Sequence, residues 1–558
     1  MRRTAGLVFV MLAIGALGGL GCPGTRTGAG RGELGAPGKP RLVVLIVVDQ
    51  LSSWAFERDR ALYKGGFARL LLEAAYVRAG ELPYANPATA PGHATIGTGA
   101  PPSVHGVIGN AWYRRDEAKE RPAEYDPAGT PFAVGLSHGG VLEEEDSASS
   151  RALRVEGVAD VLRRATGGRA RSVAISLKPR GAVFMTGRRP ELAVWYEAAA
   201  GGMTTTRAFA REAPRWLVEL ARDRPATRFF SQTWEPLDAS LLVRATGIRD
   251  DAPGEGGIHG LGTTFPHALA ESDNPARAIL HTPFADEIVM DAALAAIPAL
   301  QLGADEVPDL LAISFNAHDY AGHLWGPGSW EALDLKLRLD AALGRLFDTL
   351  DTRLGRGNWA AVLTSDHGAT PVVEQSKVAG ARRVKPEEIE RAVENMLQPA
   401  LGKGPWVARI ASGNVYLVPA FARLPAQLRE HALTAAVEGA GRVAGIAAVV
   451  RNDHAAGQCA GRADLERAIC LSIMPGESGE LSVMPLAGSL ITTFETGTHH
   501  DAPFDDNRRV PIFVLAPGMA PRKGEGSLLQ VAPTVAALLG VPAPAGAIAP
   551  PLFGLPGR

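Results

Sequence analysis

Carboxylates and imidazoles collect just after apolar runs in this chain, and one threonine lies where a metal ion could activate it. Asp49 follows "RLVVLIVV", "SFNAHDYAGHLWG" sets Asp319 and His323 four apart, "LTSDHGA" carries Asp366 and His367, and "GTHHDAP" supplies His499 and His500. Each fragment alone is ordinary: an Asp after a strand commonly caps a helix, and an Asp–His pair four apart is commonly a surface ion pair. Together, hard oxygen and borderline nitrogen donors suit two ions of the Zn2+ kind. The stretch "NPATAPGHATIGTG", from Asn86 to Gly99, complements them. Its Thr89 could simply cap the helix that follows. A threonine hydroxyl is a poor nucleophile near neutral pH, but a cation that lowers its pKa makes it a competent one. The helix N-terminus behind it adds positive potential where phosphate oxygens would sit.

Such a site needs elements that bring distant residues together. "RLVVLIVVD" is a continuous β-branched run, which reads as a strand buried on both faces. Comparable runs start at Ser172, Asp309, Ala360 and Val510. Helical patterns lie between them, near 67–75, 155–164, 285–300 and 330–350, and a late one in "LLQVAPTVAALLG" stops at Gly540. Alternating buried strands and amphipathic helices predict a doubly wound, mostly parallel α/β sheet flanked by helices, with ligands gathered past the C-terminal strand ends. The alternation breaks over roughly 375–490, which reads as an inserted cap with a helix near 386–401, whereas roughly 112–160, acidic at "LEEEDS", reads as a solvated surface excursion.

The 558 residues, 46% hydrophobic, suffice for a large core, and a formal net charge of −2 gives no electrostatic case for a nucleic-acid partner. Residues 1–22 combine Arg2 and Arg3 with an apolar stretch and end at Cys22, the pattern of an export signal with a lipoprotein box and hence a lipid anchor in a membrane; simple signal cleavage is the alternative. Residues 23–40 read as a flexible tether, 41–545 as the catalytic domain and 546–558 as a tail. In an oxidising compartment Cys459 and Cys470 could pair across a short loop; two buried free thiols are the alternative.

The order "VVD", "TAPGH", "GVIGNAWY", D-x-x-x-H, "SDHG", "GTHHDAP" and "APTVAALLG" resembles the alkaline phosphatase superfamily. It is most similar to the phosphate-irrepressible alkaline phosphatases that form a phosphothreonine, over roughly 40–545. The resemblance implies that Asp319, His323 and His500 hold one zinc ion. Asp49, Asp366 and His367 would hold the other, together with Thr89 as nucleophile. His500 is preferred to His499 as the ligand, although Asp501 replaces the small residue usual after it. The monoesterases of this type add a Lys and an Arg two apart, here Lys178 and Arg180, with Pro179 in place of the usual Asp. These, with the Asn110 amide, would contact the phosphoryl oxygens. Two added cations suit the nearly double charge of a monoester better than the single charge of a diester. The resemblance therefore predicts two Zn2+ ions, small phosphorylated substrates and an exported phosphomonoesterase. The rivals are a phosphodiesterase or nucleotide pyrophosphatase on the same site, and a non-catalytic lipoprotein that binds a phosphorylated ligand. No chemistry is assigned to His281, and His93 is read as supporting the site rather than as a further ligand.

Overall fold

A computed structural model of the chain describes residues 39–135, 141–500 and 502–555. Cys22 and the whole leader, together with Asp501, lie outside the described residues. Nine strands form the central sheet: β1 (Leu42–Val48), β2 (Ala75–Glu81), β3 (Ser172–Ser176), β4 (Leu192–Glu197), β5 (Gly202–Thr204), β6 (Asp309–Phe315), β7 (Trp359–Thr364), β8 (Arg509–Leu515) and β9 (Arg522–Gly524). Their order is β9-β2-β8-β7-β1-β6-β3-β4-β5.

β1 shows why the sheet is central. All seven of its residues are buried, and its side chains alternate between two cores. Leu42, Val44, Ile46 and Val48 enter one with the Pro283–Ala299 and Trp330–Leu354 helices. Val43, Leu45 and Val47 enter the other with the Val158–Ala165 and Val531–Leu539 helices. A strand covered on both faces needs apolar residues at every position, which explains the unbroken run. Each such side chain contributes roughly 1.5–3 kcal/mol on burial.

β7, β1, β6, β3 and β4 run parallel, as expected. β8 departs from the expected parallel arrangement: it pairs antiparallel with both β7 and β2. The reversal matters for the site. Residues that follow a parallel strand lie at its C-terminal edge, and residues that precede an antiparallel neighbour arrive at that same edge.

The cap region carries its own four-stranded antiparallel sheet of Val407–Ala411, Asn414–Leu417, Leu481–Pro485 and Ile446–Arg451, in that spatial order. The Pro386–Leu401 and Ala426–Gly441 helices pack with it around a separate apolar cluster. A short parallel pairing of Arg383–Val384 with Leu490–Ile491 closes its base. The segment expected to be a solvated excursion is different in part. Ala111–Arg114 and Lys119–Pro122 form a hairpin, Trp112 is buried in a core cluster, and Glu124 is buried as well. Leu552 of the expected C-terminal tail is likewise buried, its N–H donating to Thr534 Oγ1 at 2.9 Å. Cys459 and Cys470 form a disulfide. Among the described residues, no helix is long and apolar enough to cross a membrane.

Candidate active site

The parallel strands deliver their residues as the topology requires. Asp49 follows β1, Asp366 and His367 follow β7, and Lys178 lies just past β3. Asp319 and His323 sit in the first and last turns of the Ala317–Trp325 helix after β6. His500 comes from the segment leading into β8. Asp319, His323 and His500 place one donor atom each within 4.8 Å of one another, and so do Asp49, Asp366 and His367. The rings of His367 and His500, one from each group, have centroids 4.0 Å apart, so the two groups share one cleft.

The donor chemistry fits two divalent cations. Each ligand histidine has Nδ1 fixed on a backbone carbonyl: His323 on Thr498 and His367 on Gly368 at 2.8 Å, and His500 on Pro87 at 2.9 Å. A carbonyl only accepts, so Nδ1 carries the proton and Nε2 keeps its lone pair for a metal, a recurrent arrangement in metal sites. Asp49 Oδ1 and Asp366 Oδ2 are buried oxygens without a hydrogen-bond partner, which suits oxygens shaped to coordinate an ion. The electrostatics agree. Burial opposes a charge on His367, yet Asp366 and Asp49 lift its pKa to about 10. Burial pushes the Asp319 carboxyl up, but His323 and Lys178 hold it well below the usual carboxylate range. Surroundings that attract protons so strongly attract metal cations by the same field.

Thr89 is buried at the first position of the Thr89–Thr98 helix, with Oγ1 3.4 Å from His367 Nε2. All ten residues of this helix are buried, which accounts for its small side chains. Gly92 is required by close approach: a Cβ there would lie 2.4 Å from the Asp366 carbonyl oxygen. Asn110 accepts the Ala90 N–H on Oδ1 at 2.8 Å, which holds the first turn in place and leaves its amide NH2 as a donor. His93 donates Nδ1–H to the Thr89 carbonyl at 2.8 Å, bonds Ser314 through Nε2, and reaches within 3.1 Å of Asp366 Oδ2. It therefore braces the Thr89–Thr98 helix and one carboxylate together.

Lys178 is buried and bridges the two groups. Its ammonium donates to Asp49 Oδ2 at 2.8 Å and to Asp319 Oδ2, over the face of Tyr320. Burial disfavours its charge, but Asp319 and Asp49 raise its pKa above the usual lysine value. Arg180, in the Pro179–Phe184 helix, lies 3.5 Å from Glu124 and has a buried Nε without a partner.

Several residues were missed from sequence. Gln50, held at φ 66°, donates its side-chain amide to Asp319 Oδ1 at 2.8 Å and its N–H to Asp366 Oδ1 at 3.2 Å. Asn316 donates to Asp49 Oδ2 at 2.7 Å and accepts from Ser176 and the Leu177 N–H. Tyr320 and Glu124 contact the two cations. Gln50, Asn316 and Tyr320 lie beside predicted ligands in sequence, which was the available signal. Glu124 had none. His281 is buried with its ring 5.1 Å from that of Tyr320, and outside both ligand groups.

Known proteins resemble this chain over most of its length. Residues 43–418 match the family model "Type I phosphodiesterase / nucleotide pyrophosphatase". Alkaline phosphatase PafA of Elizabethkingia meningoseptica is 28% identical over 93% of this chain and 95% of its own length. Alkaline phosphatase PhoV of Synechococcus elongatus is 33% identical over 62% of each chain. The crystal structure of wild-type alkaline phosphatase PafA superposes with a TM-score of 0.85 at 26% identity, covering 94% of this chain and 100% of that one. On the matched span, the shared architecture and the paired ligand groups, this chain belongs to the type I phosphodiesterase / nucleotide pyrophosphatase family, within the phosphoric-ester hydrolases of the alkaline phosphatase superfamily.

Proposed function

We propose that the chain is an exported two-zinc alkaline phosphatase that hydrolyses phosphate monoesters through a phosphothreonine. The observation that carries this reading is the position of Thr89 Oγ1 against His367, in a cleft that also holds both ligand groups, Lys178 and Arg180. The ions held there would supply the positive charge that activates a hydroxyl and stabilises entering and leaving oxygens. Thr89 Oγ attacks phosphorus, the ester oxygen departs on the opposite side with its electron pair, and water later breaks the phosphothreonine. Lys178, Arg180 and the Asn110 amide neutralise and orient the phosphoryl oxygens, so the chain's own contribution is positioning and charge.

The monoester assignment rests on the two cations. A solved PafA variant carries a Thr-to-Ser change and Ala in place of an Asn, a Lys and an Arg. In that chain as in this one, the Thr and Asn are 21 positions apart and the Lys and Arg two apart. Export is supported by the Cys459–Cys470 disulfide, with lipidation at Cys22 as the proposed anchor.

The test is a parallel assay of aryl monoester and bis-aryl diester hydrolysis, with zinc removed by chelation and then restored. The expected outcome is monoester preference that disappears and returns with zinc. Lys178→Ala and Arg180→Ala should each lower monoester kcat/KM by roughly 10²–10³-fold and diester turnover far less. Equal losses on both substrates, or a diester preference in the parent chain, would reassign the site to diesters. Thr89→Ala binding ligand with undiminished biological function would favour the non-catalytic lipoprotein.

A further inference from the structure

We propose that Phe494 and His499 form a leaving-group platform that selects phosphate monoesters of planar aromatic alcohols. The inference rests on reading the site as a phosphomonoesterase and adds a substrate class to it.

The direction of the reaction fixes where the leaving group goes. Thr89 Oγ1 lies against His367, so the nucleophile belongs to the Asp49–Asp366–His367 side. An in-line displacement expels the leaving oxygen on the opposite side. With the nucleophile assigned to one donor group, the leaving oxygen is assigned to the other, Asp319–His323–His500. What flanks it is aromatic. The His499 ring stands 5.0 Å from the His323 ring, at 60°. Phe494 also stacks with His499, with centroids 5.4 Å apart and planes within 18°. From sequence, His500 is preferred to His499 as the ligand, and no other role falls to His499.

The platform is exposed yet anchored. Phe494 is 62% exposed, and its neighbours Thr493, Glu495 and Thr496 are exposed too. Its backbone N–H is held by Thr492 Oγ1 at 3.1 Å. On the far side, the Thr498 N–H donates to the His323 carbonyl at 2.8 Å, and the His499 carbonyl accepts the Thr370 N–H at 3.1 Å. Gly497 is tied to Gly254 at 2.7 Å. The loop therefore holds a large apolar ring in water against His499, whose own ring meets that of His323, although folding gains nothing from exposing it. A planar aromatic group leaving past His323 meets ring edges and faces at stacking distance, whereas an alkyl group of equal charge finds no matching partner.

In the step itself the Thr89 Oγ–P bond forms as the P–O(aryl) bond breaks. The electron pair leaves on the phenolate, and the hydroxyl proton passes to water. The platform binds the ring and takes no part in proton or phosphoryl transfer, so its effect belongs mainly in KM.

The experiment compares phenyl phosphate with ethyl phosphate on the zinc-loaded full chain, for wild type, Phe494→Ala and Phe494→Tyr, with thermal melts to verify folding. The aryl-to-alkyl ratio of kcat/KM should fall about 3–10-fold in Phe494→Ala, through KM for the aryl ester, and should recover to within about 2-fold of wild type in Phe494→Tyr. A Phe494→Ala ratio within about 2-fold of wild type, in a protein that turns over both esters, overturns the platform and leaves the phosphatase reading standing. If zinc-loaded wild type hydrolyses neither ester, the phosphatase reading falls, and the platform with it.

Discussion

Gln50 shows how a single side chain can set the geometry of two ligand groups at once. It follows Asp49 directly, sits in the left-handed region, and ties Asp319 to the segment of Asp366. Gly322 gives it room, since a Cβ there would lie 1.9 Å from Gln50 Oε1. Helix propensity favours Ala over Gly by about 1 kcal/mol in a helix interior, so Gly322 is retained here for space. Gly322→Ala should therefore leave the helix intact, push the flexible amide of Gln50 aside and free Asp319 Oδ1. The expected outcome is a roughly 10–100-fold loss of zinc affinity, measured by competition with a chromogenic chelator. Unaltered affinity would show that Gln50 has no hold on the ligand. The same residue shows where sequence reading ends. Asp49, Asp319, Asp366, His367 and His500 announce themselves by donor chemistry after apolar runs. Gln50 and Asn316 act by hydrogen bonds to the carboxylates, and a lone amide at a strand end has no periodic or chemical signature. Arg180 could be picked out by its spacing from Lys178, but its partner Glu124 lies in a segment whose composition reads as surface loop.

At the scale of elements, the five apolar runs and the long helices were legible because burial on both faces forces an unbroken or 3.6-periodic pattern. Strand direction was not legible. A fully buried antiparallel strand has the same composition as a parallel one, so β8 could be placed but not oriented. The joints between elements were equally hidden. Asp59 at the end of the Ser53–Asp59 helix pairs with Lys336 of the Trp330–Leu354 helix at 2.5 Å, both side chains fully buried, and with Arg58 at 2.6 Å. Burial pulls the Lys336 pKa down to about 8, against the attraction of Asp59. Asp59→Asn would leave that ammonium buried without its counter-charge. The expected cost is about 3–5 kcal/mol in urea unfolding, because breaking one half of a buried pair is more damaging than replacing both. A change under about 1 kcal/mol would mean the pair contributes nothing.

Over the whole molecule, a buried acid group makes stability depend on pH. Glu255 is held above its ordinary value, to about 9, by burial first and then by Glu331. A carboxyl raised in the fold binds its proton more tightly there than in the unfolded chain. Its contribution therefore favours folding least once it must ionise. Stability falls as pH rises from about 4.5 to about 9, and the loss is complete above the folded value. Glu255→Gln should flatten this part of the profile, so that the mutant gains Tm relative to wild type at pH 9 and not at pH 4. Parallel melts across that range check it, and an identical pH slope in both proteins would contradict it.

The reversed strand β8 has a consequence in time as well as in space. Because it runs against its neighbours, the residue before it, His500, reaches the edge already supplied by Asp49 and Asp319. The donors are thus drawn from positions 49 to 500, and the last emerges from synthesis about 450 residues after the first. No nascent fragment that stops short of His500 can bring both donor groups together. Ions bound by the complete donor set, on the reading proposed above, would therefore stabilise only chains made at least as far as His500.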